Sequence, residues 1–190
     1  MKNNSQIFTF LSSSGNYFYF ISEKYFCCAE KLFKENKPEE SLLPFCLLTV
    51  TACENFLKII IVSDMCKNLN GLEKDDSDIK TTVMEEIRSY GHNIKKLIEK
   101  SLIKDRFEIS ELEEFSNGFV SDYRFVSKGR KIFLKNSESI RFGSLAKKQD
   151  LSQSGKIYFC PETIEFLKEL KELSSSKLKN TLDIIRSSQL

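Results

Sequence analysis

A single histidine, His92, stands among the 190 residues. Imidazole is the side chain whose unperturbed proton exchange falls near neutrality, so any general acid–base chemistry in this chain begins with it. Its setting is Glu86-Ile87-Arg88-Ser89-Tyr90-Gly91-His92-Asn93-Ile94-Lys95-Lys96-Leu97. On a continuous helix Arg88 and His92 stand one turn apart on one face. A cation that holds phosphate beside an imidazole that moves protons is a workable pair for phosphodiester cleavage. The same residues also fit a plainer arrangement, in which Gly91 ends one helix and His92 caps or packs near the start of the next.

A second polar constellation lies upstream. Glu54 and Lys58 are one turn apart in the favourable Glu-before-Lys order. They fit either an ion pair on a partly solvated face or a polar notch that faces His92. Tyr123-Arg124 and Arg130 supply further cations with the same two meanings, whereas Lys95-Lys96 and Lys147-Lys148 read as solvated faces.

These residues need elements to position them. Phe18, Ile21, Tyr25, Cys28, Leu32 and Phe33 recur at helical spacing, which predicts a first helix over 17–36 with those residues as its buried face. A second is predicted over 41–65, with Ser41 as N-cap and Pro44 in its first turn. Its core, LLPFCLLTVTACENFLKIIIV, is long enough to cross a bilayer. Thr51, Glu54, Asn55 and Lys58 nevertheless form one stripe about 100° wide, which suits the central helix of a soluble bundle better than lipid. Further helices are expected over 92–103 and 161–174, with Ser174-Ser175-Ser176 breaking the latter before a last helix to about Ser187. Residues 109–117 suggest a short helix. Phe125-Val126 and Ile132-Phe133-Leu134 flank Ser127-Lys128-Gly129-Arg130, a hairpin pattern, and Ile140-Arg141-Phe142 and Ile157-Tyr158-Phe159 suggest extended pieces. The expectation is a mainly α fold: one domain over 1–190, with a small β-hairpin or irregular insert at about 119–159.

Composition narrows the classes. A net charge of +2 gives no electrostatic case for coating long nucleic acid or an anionic membrane. Seven Gly and three Pro are too few for a turn-dense β-sandwich. No glycine-rich nucleotide loop, no G-x-S-x-G and no H-E-x-x-H occurs. The six cysteines have no C-x-x-C pair, so the expectation is buried free thiols, no metal and a reducing cytoplasm. The apolar run Ile7 to Leu11 is shorter than a signal-peptide core, so no signal peptide is expected from it. Phe45, Phe56 and Ile60 are spread around the second helix, and the 16 Phe suggest an interface core, so a homodimer or a complex built around the helices carrying Glu54 and His92 is expected.

Two stretches together resemble a known family. Leu47 to Ile61, with Ala52-Cys53-Glu54-Asn55-Phe56-Leu57-Lys58, resembles the second helix of bacterial HEPN-domain proteins and its Ala-x-Glu-x-x-Leu-Lys pattern. Tyr90-Gly91-His92-Asn93-Ile94-Lys95-Lys96-Leu97 resembles the Gly-His-(Asn/Asp) start of that family's third helix. Asp122-Tyr123-Arg124-Phe125 looks like its downstream aromatic-Arg-Tyr segment. The resemblance implies a HEPN-like helical bundle, usually dimeric, in bacterial defence or toxin–antitoxin systems. Many such proteins are metal-independent endoribonucleases that use an Arg and a His from each subunit. It implies His92 as general base or acid, Arg88 or Arg124 as the phosphate-stabilising cation, and Glu54, Lys58, Asn93 and Tyr123 in support. It implies RNA as substrate, no cofactor, and a cognate antitoxin or defence protein as partner. The family motif has four to six residues between Arg and His, and this chain has three. The alternative implied is a non-catalytic module that binds nucleotide or a partner enzyme through the same polar edge.

Overall fold

In the computed structural model the described residues are 2–35, 38–70, 76–116, 121–135 and 159–188. They form a mainly helical fold with one small antiparallel sheet. Its centre is α3, Pro38–Leu69. Phe45, Val50, Ala52, Cys53, Phe56, Leu57, Ile60 and Cys66 project from nearly all round this helix, and every one of them is buried. An all-round apolar helix folds stably in water only when neighbours cover it on several sides. Here α2, Asn16–Glu35, and α6, Pro161–Ser187, flank it, and α4, Asp76–Tyr90, and α5, Ile94–Lys100, cover the remainder. Phe45, Phe56 and Ile60 are therefore covered within one chain and need no second copy. The helix is also, among the described residues, the one with the length and composition to cross a membrane, and 67% of its most apolar window is buried inside the fold, as befits a core helix.

Several expected boundaries move. α3 begins at Pro38, a favoured first-turn residue, so Ser41 is a buried helical residue rather than the N-cap and Pro44 lies inside the helix. α6 runs unbroken through Ser174-Ser175-Ser176. The reason is local: Ser174 Oγ donates to the Lys171 carbonyl at 2.8 Å, so its buried hydroxyl is satisfied within the helix. A helix α1, Lys2–Phe10, and a π-helical turn, Leu11–Gly15, precede α2 and were not expected from the sequence. The turn packs so closely on α6 that a Cβ on Gly15 would lie 2.8 Å from the Leu178 side chain.

The buried face of α2 also differs from the sequence expectation. Ser22, Phe26 and Ala29 point inward, with Tyr19, Leu32 and Phe33 packed beside them, whereas Phe18, Tyr25 and Cys28 are exposed. Of the expected face Leu32 and Phe33 do pack on the core, and Phe18, Tyr25 and Cys28 do not, because aromatic residues occupy both sides of this helix.

The sheet is a meander, β1 (Ser110–Ser116), β2 (Ser121–Ser127) and β3 (Arg130–Leu134), in the order β1-β2-β3. The expected hairpin is present: Ser127 pairs with Arg130 across Lys128-Gly129, both with positive φ. A two-residue turn of that handedness matches the twist of the strands. Residues 110–116, expected as a helix, are strand because they pair with β2; a bulge between Ser110 and Glu113 absorbs the irregularity at Glu111, φ +52°. The sheet seats on α6 through Phe166, which meets Phe107 and Phe125 edge-on at 5.5 and 5.1 Å. The expected extended piece at 140–142, and all but Phe159 of that at 157–159, lie outside the described residues.

Candidate functional site

Glu54 sits midway along α3, on the edge of the helix where the polar stripe interrupts the apolar surface. The residue is almost fully buried, 5% exposed. A buried carboxylate needs partners, and two are present. Lys58, one turn on, donates to Oε1 at 2.5 Å. His92 presents Nδ1 to both oxygens, at 3.0 Å to Oε1 and 2.9 Å to Oε2.

The chain delivers His92 to Glu54 by ending one helix and starting another. α4 stops at Tyr90, and Gly91 turns the backbone with φ +54°, a conformation that suits glycine. Asn93 then caps α5, its Oδ1 accepting from the Lys96 backbone N–H at 2.9 Å. Ile94, Leu97 and Ile98 bury one face of α5, which packs on α3. His92, just before the cap, is thereby set over Glu54. Of the two arrangements the sequence allowed for Arg88 and His92, the structure has the plainer one, in which Gly91 ends a helix and His92 stands near the start of the next: Arg88 belongs to the last turn of α4, exposed, with the Gly91 bend between the two.

A brace holds the bend from both sides. Tyr90 donates its hydroxyl to Glu86, and Lys100 at the end of α5 pairs with the same carboxylate at 3.0 Å. The Tyr90 hydrogen bond, followed by that of Lys100, lowers the Glu86 carboxyl below its ordinary range. The Glu86 contact raises Lys100, and burial, with Glu86 next, raises Tyr90. The sequence offered no periodic signal for this link, since Lys100 lies fourteen positions from Glu86 across the Gly91 bend.

Carboxylate oxygens only accept hydrogen bonds, so the proton between Glu54 and His92 resides on Nδ1. In the neutral imidazole the lone pair is then on Nε2. The His92 side chain is 47% exposed, while that of Glu54 is 7% exposed, so the buried partner fixes the ring and the outer edge of the ring meets solvent. This is the arrangement in which a carboxylate orients a histidine for proton transfer. The Lys58 ammonium shares Oε1 with His92, which keeps the two nitrogens no farther apart than the sum of 2.5 and 3.0 Å. An anion that approaches His92 therefore also meets the Lys58 ammonium.

Of the residues singled out in the sequence, Glu54, Lys58 and His92 are thus brought together, and Asn93 supports them as helix cap. Tyr123 and Arg124 lie on β2. Tyr123 is buried, and Arg124 donates to Glu113 on β1 through Nε at 2.8 Å and Nη2 at 2.5 Å, which commits its guanidinium to a carboxylate. Arg130 bonds Glu165 and Glu169 on α6. The cysteines are free; Cys46, Cys53 and Cys66 are buried as expected, but Cys27 and Cys160 are half-buried and Cys28 is exposed. Burial pushes the Cys46 thiol up to about 12, and Cys66 likewise, so neither is a nucleophile at neutral pH. Among the described residues no three His, Cys, Asp or Glu side chains gather in metal-binding geometry.

Two cavities flank α2, and one of them reaches the site. A cleft of about 380 Å³ lies between the start of α2 and the second half of α6, lined by Asn16, Tyr19, Lys179, Asp183 and Arg186 among others, and includes none of Glu54, Lys58 or His92. A smaller apolar one, about 40 Å³, lies beneath the π-helical turn and Phe18, with Lys58, Ile59 and Val62 of α3 and Met84 and Ile87 of α4 on its walls. Lys58 belongs both to this wall and to the Glu54 pair.

Fold and site together define a mainly α bundle that carries a buried carboxylate on its central helix and a half-exposed imidazole in the turn between two helices that cover it. Comparison with protein-family models, with curated proteins and with solved structures finds no match for this chain.

Proposed function

We propose that this chain is a HEPN-like protein of a bacterial defence or toxin system, and that it cleaves RNA without a metal ion, using His92. The observation that supports this reading is the contact of His92 Nδ1 with the buried Glu54 carboxylate at 2.9 Å, beneath a half-exposed ring. The resemblance of the Glu54 and His92 stretches to the family adds to it. In the proposed reaction the 2′-hydroxyl of the substrate attacks the adjacent phosphorus while Nε2 of His92 takes its proton. The bond from phosphorus to the 5′-oxygen breaks, and the departing oxygen receives a proton from the imidazolium, of the same copy or of a second one. Lys58, bonded to the same carboxylate as His92, and Arg88, as the resemblance implies, would offset the charge that grows on the phosphate oxygens. The products are a 2′,3′-cyclic phosphate and a 5′-hydroxyl. A homodimer that brings two copies of His92 to a common cleft, in the cytoplasm, is the assembly the resemblance implies.

A second reading rests on a specific observation. Three residues and a helix break separate Arg88 from His92, unlike the longer spacing of the nuclease motif. That favours a non-catalytic module that uses the same notch to bind a nucleotide or a cognate partner.

The test is incubation of the purified protein with single-stranded RNA in the presence of a chelator, beside His92→Ala. General acid–base groups contribute about 10²- to 10⁴-fold, so the variant should fall by that factor, with 2′,3′-cyclic ends from the native chain only. RNA left intact by the native protein, or cut equally by the variant, would contradict the nuclease reading.

A further inference from the structure

We propose that the exposed aromatic face at the start of α2 is a base-stacking platform for single-stranded RNA, with Phe18 as the ring nearest the His92 site. The inference rests on the reading of that site as one that takes RNA and names how the strand would be held. Its ground is a juxtaposition in the fold. Tyr17, Phe18, Phe20 and Tyr25 are 62%, 43%, 53% and 37% exposed, and they account for most of the large apolar side chains that the described residues leave in solvent. All four fall within nine residues of one helix and spread over about 160° of its circumference, with Tyr17 and Phe18 in edge contact at 6.0 Å. Exposed aromatics grouped in this way mark a binding surface rather than random exposure.

Phe18 connects that surface to the chemistry. Its ring is one wall of the apolar cavity of about 40 Å³, and Lys58 is another. Lys58 is bonded to Glu54, and Glu54 to His92. Phe18 and the imidazole are therefore linked through Lys58 and Glu54. The cavity holds a water-sized volume, too little for a nucleobase, so a base would lie across its mouth on the Phe18 ring rather than enter it.

The charge pattern favours a nucleic acid over other occupants. Lys24 lies over the Phe20 ring at 5.0 Å, within the aromatic patch, and Lys58 stands at its inner edge. Aromatic faces interleaved with cations are what a single strand needs: bases stack, phosphates meet ammonium groups, and no sequence is read. A second copy of the chain fits less well. Four partly exposed rings supply roughly 400 Å² per copy at about 200 Å² per aromatic side chain, well short of the ~800 Å² per partner of a stable interface. A patch of that size suits two or three stacked bases.

The test uses a labelled single-stranded 2′-O-methyl oligouridine, which lacks the attacking hydroxyl and so reports binding apart from cleavage. Fluorescence anisotropy would compare the native protein with Phe18→Ala, Phe18→Trp and Leu102→Ala, the last an exposed apolar residue elsewhere in the fold. Stacking is worth about 1–3 kcal/mol per base, so Phe18→Ala should weaken binding about 5- to 150-fold. Phe18→Trp should restore it, and Leu102→Ala should leave it unchanged. Binding unaffected by Phe18→Ala, absence of binding by the native protein, or equal binding of a duplex would overturn the platform. So would a dimer that Phe18→Ala converts to monomer with binding intact, because the face would then serve self-association. Phe18-dependent binding with no cleavage of ordinary RNA would refute the nuclease reading and leave the platform standing.

Discussion

Two clusters of charge in this molecule use similar residues to opposite ends. At the rim of the sheet, Arg130 bonds Glu165 at 3.1 Å and Glu169 at 2.7 Å, and Lys128 bonds Glu169 at 2.6 Å. Every group there is answered by an opposite charge, the carboxylates are substantially exposed, and no proton acceptor is left over. The cluster clasps the hairpin to α6. On α3 the carboxylate is the buried member and its partner is an imidazole with a second nitrogen. Fixing one nitrogen leaves the other in solvent with a defined role. What separates a clasp from a candidate site here is which partner is buried and whether one of them keeps an unused functional atom.

Beneath the clasp lies an apolar seat, and it should account for most of the sheet's attachment. Phe166→Ala removes the ring that meets Phe107 and Phe125 and should cost about 3–5 kcal/mol, lowering Tm by about 10 °C or more. The His92 environment, read from its ring resonances below the transition, should be unchanged. Movement of those resonances would show the two regions to be coupled. Glu54→Ala takes the buried carboxylate from Lys58 and His92. Since Lys58 and His92 both reach solvent, the cost should be about 2 kcal/mol, less than for a fully enclosed pair, and denaturant unfolding measures it. Glu54→Gln keeps the shape but supplies a mixed donor and acceptor, so it should preserve most of the stability and lose the fixed ring.

Gly91→Ala tests the bend that sets His92. No neighbour lies within 4 Å of the added carbon, so the penalty is conformational, about 1–2 kcal/mol for an alanine at φ +54°. Its crystal structure should show the start of α5 displaced. At the clasp, Arg130→Ala should cost about 1 kcal/mol or less, because its carboxylate partners are open to water and salt screens them. Raising ionic strength should shrink that difference and leave the Glu54→Ala difference largely intact. The smallest effect concerns the brace. The lowered Glu86 carboxyl contributes stability above its unfolded-state value, and this is lost as pH falls through the folded value. Raised Lys100 contributes below its unfolded-state value and loses it as pH rises through the folded one. Glu86→Gln should therefore flatten the stability profile at its acid end and leave the neutral plateau slightly lower.

The same contrast explains what the sequence disclosed. The polar stripe on α3 was legible because four polar residues at helical spacing interrupt an otherwise apolar run. His92 was legible because the chain has no other histidine and Gly91 precedes it. Their meeting was an expectation of the family pattern, since no periodicity links positions 54 and 92. The Lys128-Gly129 turn was legible from local chemistry. β1 was not, because Ser110-Glu111-Leu112-Glu113-Glu114 has good helix propensity and becomes strand only through pairing with β2. The inward face of α2 was hidden by aromatics on both sides, and the continuity of α6 by a serine triplet whose first hydroxyl bonds back into the helix. The brace of Glu86, Tyr90 and Lys100 spans the Gly91 bend, whose direction local spacing does not encode.

The central claim is that Glu54 holds the Nδ1 proton of His92 and leaves Nε2 as the free acceptor. A long-range ¹H–¹⁵N correlation spectrum of uniformly labelled protein reads this directly, and with one histidine in the chain it contains one ring to assign. In the neutral form Nδ1 should appear as the protonated, pyrrole-type nitrogen and Nε2 as the pyridine-type nitrogen, with Glu54→Gln abolishing that preference. A ring protonated on Nε2 in the native protein, as free imidazole side chains prefer in water, would contradict the account.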